Sequence, residues 1–184
     1  ITSTEIHLML SGNLATNIDP NDSFGGQIST ATGGKIVSGA MNNDMDDITS
    51  QEASDGITIY HAYYYKNTNN SSPSPLEYIN PAFYIQTNTV VTDTEVYIGL
   101  PPQAKNTTVE RLTAETGSGA ATPPVTPPVS VTFSSAPANF ASGLALGSLL
   151  ATEYRGIWVK YVVNSSASAV LDTYTLGIQG DSNP

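Results

Sequence analysis

The sequence predicts an all-β fold: a β-sandwich or jelly-roll-like domain of about seven or eight strands with long irregular arms. Short runs rich in Val, Ile, Tyr and Thr recur between clusters of Gly, Pro, Asn and Ser, as strands joined by polar turns do. No window of a dozen residues carries an i, i+3, i+4, i+7 apolar stripe free of Gly, Pro or β-branched residues. The spacing of the runs matches antiparallel sandwiches rather than strands alternating with helices.

The first strand is expected over Glu5 to Leu10, ended by Ser11-Gly12-Asn13. A long strand follows over Ile57 to Lys66. There Ile59, His61, Tyr63 and Tyr65 alternate with Tyr60, Ala62 and Tyr64, so both faces are aromatic. Such a pattern fits a central strand buried on both sides, or a strand showing a tyrosine face to a neighbouring subunit. Leu76 to Gln86 is the third strand. It contains Pro81, which cannot donate to a ladder and so belongs at an edge or a bulge. Glu95 to Leu100 stops at Pro101-Pro102, and weaker strands are expected over Val129 to Phe133 and near Leu144. Arg155 to Val163 and Asp172 to Gln179 read as a closing pair joined by the small polar loop Asn164 to Ala169. In the former, Ile157, Val159, Tyr161 and Val163 share a core face, while Trp158 and Lys160 share the other. Trp158 is therefore expected to cap the sandwich edge or to face a neighbouring subunit.

Two segments interrupt this pattern within what reads as a single domain spanning the chain. Residues 11–56 form a loop-rich acidic region, with a weak helical pattern around Gly39 to Ile48. Residues 117–129 are Pro-rich, and their double prolines favour a stiff, extended polyproline II spacer. In an assembly protein such arms lie across neighbours. Together with Trp158, the residues Tyr60, Tyr64, Pro124 and Pro127 are thus the candidate interface residues.

Composition narrows the function. The 184 residues carry 12% charged side chains and a net charge of −10, while Ser, Thr and Asn make up about 30%. Such an acidic surface repels phosphate backbones, which argues against nucleic-acid binding. The absence of cysteine excludes disulfides, Cys-based zinc sites and thiol catalysis. No apolar run reaches the roughly 18 residues of a helical membrane span, so no membrane partner is expected. The two histidines, His7 and His61, lie inside strands, where structural hydrogen bonding is the usual role. G-x-S-x-G, H-E-x-x-H, P-loop and G-x-G-x-x-G patterns are all missing. A carboxylate pair of the glycosidase kind would need sugar-gripping basic residues, and six Lys and Arg leave little for that task. The chain is therefore expected not to be an enzyme and to need no cofactor.

The acidic run Asn42-Asn43-Asp44-Met45-Asp46-Asp47, with Glu52 and Asp55, offers hard oxygen ligands of the kind calcium prefers. It departs from an EF-hand loop, because Ile48 stands at a ligand position and no glycine follows at the sixth. A solvated acidic loop is the default. Residues 1–56 hold eight acids against Lys35, a net of −7, and residues 57–184 hold eight acids and five bases, a net of −3. The N-terminal third is the acidic surface, to face water or a basic partner.

Several segments taken in order carry a resemblance. They are "SGN…NIDPNDSFGGQIST" (Ser11 to Thr30), "MNNDMDDITSQEASDG" (Met41 to Gly56), "YYYKNTN" (Tyr63 to Asn69), "EVYIGL" (Glu95 to Leu100), "GLALGSL" (Gly143 to Leu149), "EYRGIWVKYVVNSSASA" (Glu153 to Ala169) and "DTYTLGIQGDS" (Asp172 to Ser182). The series resembles virion structural proteins of tailed bacteriophages. In that group basic residues follow the tryptophan-containing strand; here Lys160 is followed by Tyr161, so the pattern is half kept. The resemblance implies a structural component of the virion; the negative charge, which phosphates of a DNA-filled interior would repel, then points to a capsid decoration (cement) protein on the outer surface of the particle. Such a protein binds the major capsid protein or other virion proteins, and it is expected to form a homo-oligomer. A neck, tail or baseplate component is the alternative within the virion. An extracellular filament subunit, assembled by donating a strand such as Glu5 to Leu10 to a neighbour, is the alternative from another class.

Overall fold

A computed structural model describes residues 5–39, 44, 47–69, 75–89, 91–113, 126–168 and 172–182. Ten strands are found there: β1 (Ile6–Gly12), β2 (Gly25–Ile28), β3 (Ile57–Asn67), β4 (Tyr78–Thr87), β5 (Thr94–Gly99), β6 (Val109–Arg111), β7 (Phe133–Ser134), β8 (Leu144–Ala145), β9 (Tyr154–Val163) and β10 (Thr175–Ser182). They form a seven-stranded sheet in the order β6-β2-β1-β3-β9-β5-β7 and a three-stranded sheet in the order β10-β4-β8. All of the strand pairs are antiparallel. The predicted all-β sandwich architecture is what forms.

The centre of the large sheet is the β3–β9 ladder, which runs unbroken from Ile57 opposite Val163 to Lys66 opposite Tyr154. Alternation sends Tyr63 and Tyr65 of β3, with Ile157, Val159, Tyr161 and Val163 of β9, to the front. There they meet Phe83 and Ile85 of β4 and Leu146, with Leu176 and Ile178 of β10 packed alongside. Tyr60, Ala62, Tyr64 and Trp158 point to the back and form a second core with Met9, Phe24, Val109 and Leu112. β3 is thus buried on both faces, one of the two arrangements its aromatic alternation allows.

The back core exists because the large sheet curls until its edge strand β6 lies behind its own centre. Gly156 makes the approach close: a Cβ there would collide with the Val109 side chain. The Tyr64 hydroxyl completes the contact. It accepts a hydrogen bond from the Val109 amide at 2.9 Å and donates to the Gly26 carbonyl, bridging the register shift between β2 and β6. Burial pushes this phenol up to about 12.

Four expectations are corrected. β9 and β10 do not pair: β9 lies between β3 and β5, whereas β10 crosses to the other sheet and pairs with β4. Both faces of β9 are buried in the large sheet, and both of its edges are already taken by β3 and β5. The helix is α1 (Ser50–Asp55), not Gly39 to Ile48. Thr49 caps it by accepting from the Glu52 amide while Glu52 Oε2 accepts from the Thr49 amide, a capping box that fixes where it starts. Within 39–48 the described residues are not helical, and residues 40–43 and 45–46 lie outside the described residues. The strand expected over Val129 to Phe133 is reduced to Phe133–Ser134. Finally, Trp158, Tyr60 and Tyr64 are interior, with 0%, 8% and 0% exposure, because the curled sheet covers the face that sequence left open. Pro81, by contrast, sits where a proline must: two residues, Asn80 and Pro81, oppose the single Gly180 of β10 at a bulge.

Trp158→Ala is expected to cost about 3–5 kcal/mol of stability in the isolated chain, read from denaturant unfolding. An interface tryptophan would leave the monomer's unfolding unchanged.

Candidate interaction surface

Among the described residues, the loop between β1 and β2 begins where a strand changes partner. β1 follows β3 from Ile6 to Leu10 and then leaves it, so Ser11 and Gly12 pair with β2 instead. The gap is filled by serines. The Ser23 carbonyl accepts from the Ala62 amide at 2.8 Å, Ser11 Oγ donates to the Ala62 carbonyl at 2.6 Å and accepts from the Gly25 amide at 3.0 Å. Both serines are fully buried, where unpaired backbone would be costly.

From that branch point the chain makes an excursion over residues 13–24, held by short neutral side chains. Asn17 is the hub. Its Nδ2 donates to the carbonyls of Ser11 (2.5 Å) and Asp19 (2.9 Å), its Oδ1 accepts from the Asp19 amide (2.9 Å), and its own carbonyl accepts from Ser29 Oγ (2.5 Å). Gly12 is required beside it, because a Cβ at that position would stand 2.6 Å from Asn17 Cβ. Asp19 caps a 3₁₀ turn over Pro20–Asp22 by accepting from the Asn21 amide. Arg111 clamps the far end, with Nη2 2.6 Å from Asp22 Oδ1, Nη1 donating to the Asp22 and Gly25 carbonyls, and its guanidinium 5.5 Å from the Phe24 ring centroid.

A loop tied at this many points presents two apolar side chains outward. Leu14 and Ile18 are each 63% exposed, and with Asn13, Thr16, Asn17 and Asp22 they line a shallow open depression. Val37, 58% exposed, follows the segment that pairs back onto β1 through Lys35 and Ile36. Preorganised apolar groups among Asn and Asp side chains are what a protein-binding surface needs, since little ordering entropy is lost on docking.

The residues singled out from sequence fall elsewhere. Pro127 is exposed, and Pro124 lies outside the described residues. Lys160 is held over the Tyr97 ring, 3.7 Å from its centroid, with Tyr97 Oη donating to Glu95 at 2.6 Å. His61 is buried, its Nδ1 2.8 Å from Tyr63 Oη, and its ring stands edge-on to Phe24 at 5.3 Å. His7 lies in β1 opposite Lys66. Of the acidic run, Asp44 takes a hydrogen bond from Tyr63 through both its carboxylate and its carbonyl. Asp46 lies outside the described residues, and among the described residues no three His, Asp or Glu side chains converge. Leu14, Ile18 and Asn17 were not singled out from sequence; the motif N-L-x-x-N-I-D carries a usable signal, apolar residues spaced among Asn and Asp where no strand can form.

No protein-family model, curated protein or solved structure matches the chain.

Asn17→Ala should accelerate hydrogen exchange at the Asp19 amide while the β3–β9 amides keep their protection, at a global cost of about 1–3 kcal/mol. Asp44 gives a pH signature. Burial raises its carboxyl from 3.8 to about 6, so the folded chain holds that proton more tightly than the unfolded chain. The resulting stabilisation is complete below about pH 4 and is lost as pH rises through about 6. Asp44→Asn should remove that slope from a series of thermal unfolding curves, relative to the unsubstituted chain.

Proposed function

We propose that the chain is a structural protein of a tailed-phage virion, a decoration protein that binds the outer surface of the major capsid lattice and stabilises it. The observation that carries this reading is the loop 13–24: Leu14 and Ile18 stand exposed on a scaffold of hydrogen bonds, in the third of the chain that holds a net −7. A rigid apolar contact framed by carboxylates fits a protein surface with apolar sockets and basic rims. The same negative charge fits the exterior of a DNA-filled shell better than its interior, where phosphates would repel it. The resemblance of the ordered segments from Ser11 to Ser182 to phage virion proteins supports the same assignment.

In this reading the chain is not an enzyme, and its partner is the capsid protein. A neck, tail or baseplate position uses the same surface chemistry and differs in copy number. The filament reading is less favoured by the topology. β1 is paired to β3 along Ile6 to Leu10, while on its other side Leu10 and Leu8 bond to Gly34 and Ile36. Donating it to a neighbour would open the large sheet at its centre.

Gel densitometry of purified virions should give the chain in fixed stoichiometric proportion to the major capsid protein. A copy number in the range of a neck or baseplate protein moves it there. Leu14→Ser/Ile18→Ser should weaken binding to capsids stripped of the protein by about 2 kcal/mol or more, roughly thirtyfold, with an unchanged unfolding midpoint.

A further inference from the structure

Among the described residues, the small sheet leaves one long edge unpaired. β4 is satisfied on its β8 side: Tyr78 and Leu149 exchange amide and carbonyl bonds at 2.9 and 2.8 Å, the Pro81 carbonyl accepts from Leu146 at 2.8 Å, and the Ile85 amide donates to Pro137 at 2.8 Å. On its other side lies β10, eight residues long, and no described strand pairs with the outer side of β10. The remaining sheet edges are short, with three residues in β6 and two each in β7 and β8.

Alternation says which groups face outward. Pro81 and Ile85 turn their backbone groups toward β8, so the intervening Ala82 and Tyr84 bond across to their partners Gln179 and Gly177. The amides and carbonyls of Leu176 and Ile178 therefore point to the open side. Natural edges of this length are blunted by lysine, proline, inward charge or bulges. The two bulges in the β10–β4 pairing lie on either side of Leu176–Gln179, which is in continuous register. Thr175–Ser182 contains neither lysine nor proline, and Asp181 is its single charge. The side chains of Leu176 and Ile178 are half-buried against the front core, and another strand alongside would finish covering them.

We propose that β10 pairs edge to edge, antiparallel, with β10 of a second copy of this chain. An antiparallel strand is self-complementary about a two-fold axis, so one edge satisfies the other. With the axis at Gly177, Leu176 of each copy lies opposite Ile178 of the other, Thr175 lies opposite Gln179, and each Asp181 falls opposite Thr173 rather than its own counterpart. The two three-stranded sheets then become one of six strands, closer in width to the seven-stranded sheet that each faces. This pairing is independent of the loop 13–24 and of what that loop binds.

The test uses the purified full chain. Sedimentation equilibrium at micromolar concentrations should give twice the chain mass, and hydrogen exchange should find the Leu176 and Ile178 amides protected in the dimer. Thr175→Lys/Gln179→Lys changes two exposed side chains and brings like charges together across the pair. It should halve the mass and speed exchange at those two amides about tenfold or more, with an unchanged circular dichroism spectrum. A monomer at all concentrations overturns the proposal. So does a dimer whose Leu176 and Ile178 amides exchange freely, or one that the two lysines leave at full mass.

Discussion

The burial of β3 on both faces is the constraint on which the rest depends. A strand with one wet side needs a single opposing layer; Ile57–Asn67 needs two, because Tyr63 and Tyr65 face forward while Tyr60, Ala62 and Tyr64 face back. The three-stranded sheet supplies the front layer. Among the described residues no third sheet covers the back; the large sheet supplies that layer by curling, and β6 with the segments around Phe24 and Leu112 becomes a cover for β3 and β9. The absence of a side chain at Gly156, the hydroxyl of Tyr64 and the departure of β1 from β3 at Ser11 all serve that one requirement.

Neutral polar side chains do internally what charge or disulfides do in other small domains. Asn67 shows the pattern again: fully buried, it donates through Nδ2 to the carbonyls of Leu76 and Leu149 and accepts from the Asn69 amide, tying β3 to the chain on either side of the small sheet. Short amide and hydroxyl side chains lose little rotamer entropy on burial and can pair with backbone in either role. A composition poor in Lys and Glu but rich in Ser, Thr and Asn is therefore the composition of the connectors as well as of the surface.

What sequence made legible was what repeats at short range. The alternation in Ile57 to Lys66 and Arg155 to Val163 gave those strands to within a residue or so and assigned Ile157, Val159, Tyr161 and Val163 to the core correctly. Pro81 announced its bulge. Long-range partnership was not legible. Two strands separated by a small polar loop look like a hairpin until one knows that both edges of β9 are occupied. Trp158 looked like a candidate contact because nothing local says that β6, nearly fifty residues earlier, returns to cover it. The capping box Thr49-x-x-Glu52 is written in the sequence, but the six-residue helix it starts is too short to show an apolar stripe. The loop 13–24 escaped for the opposite reason. Its order comes from Asn17 and Ser29 meeting across twelve residues, which no periodicity reports.

The way β1 parts from β3 also sets a path for mechanical load. A pull on Leu14 or Ile18 travels through residues 13–24 to Ser23, whose carbonyl holds the Ala62 amide in the middle of the longest ladder. Arg111 diverts a share of it through Asp22 into β6. Ala62 lies inside the β3–β9 ladder, with paired residues on both sides from Ile57 opposite Val163 to Lys66 opposite Tyr154, so a load entering there meets a paired strand interior and not a free strand end.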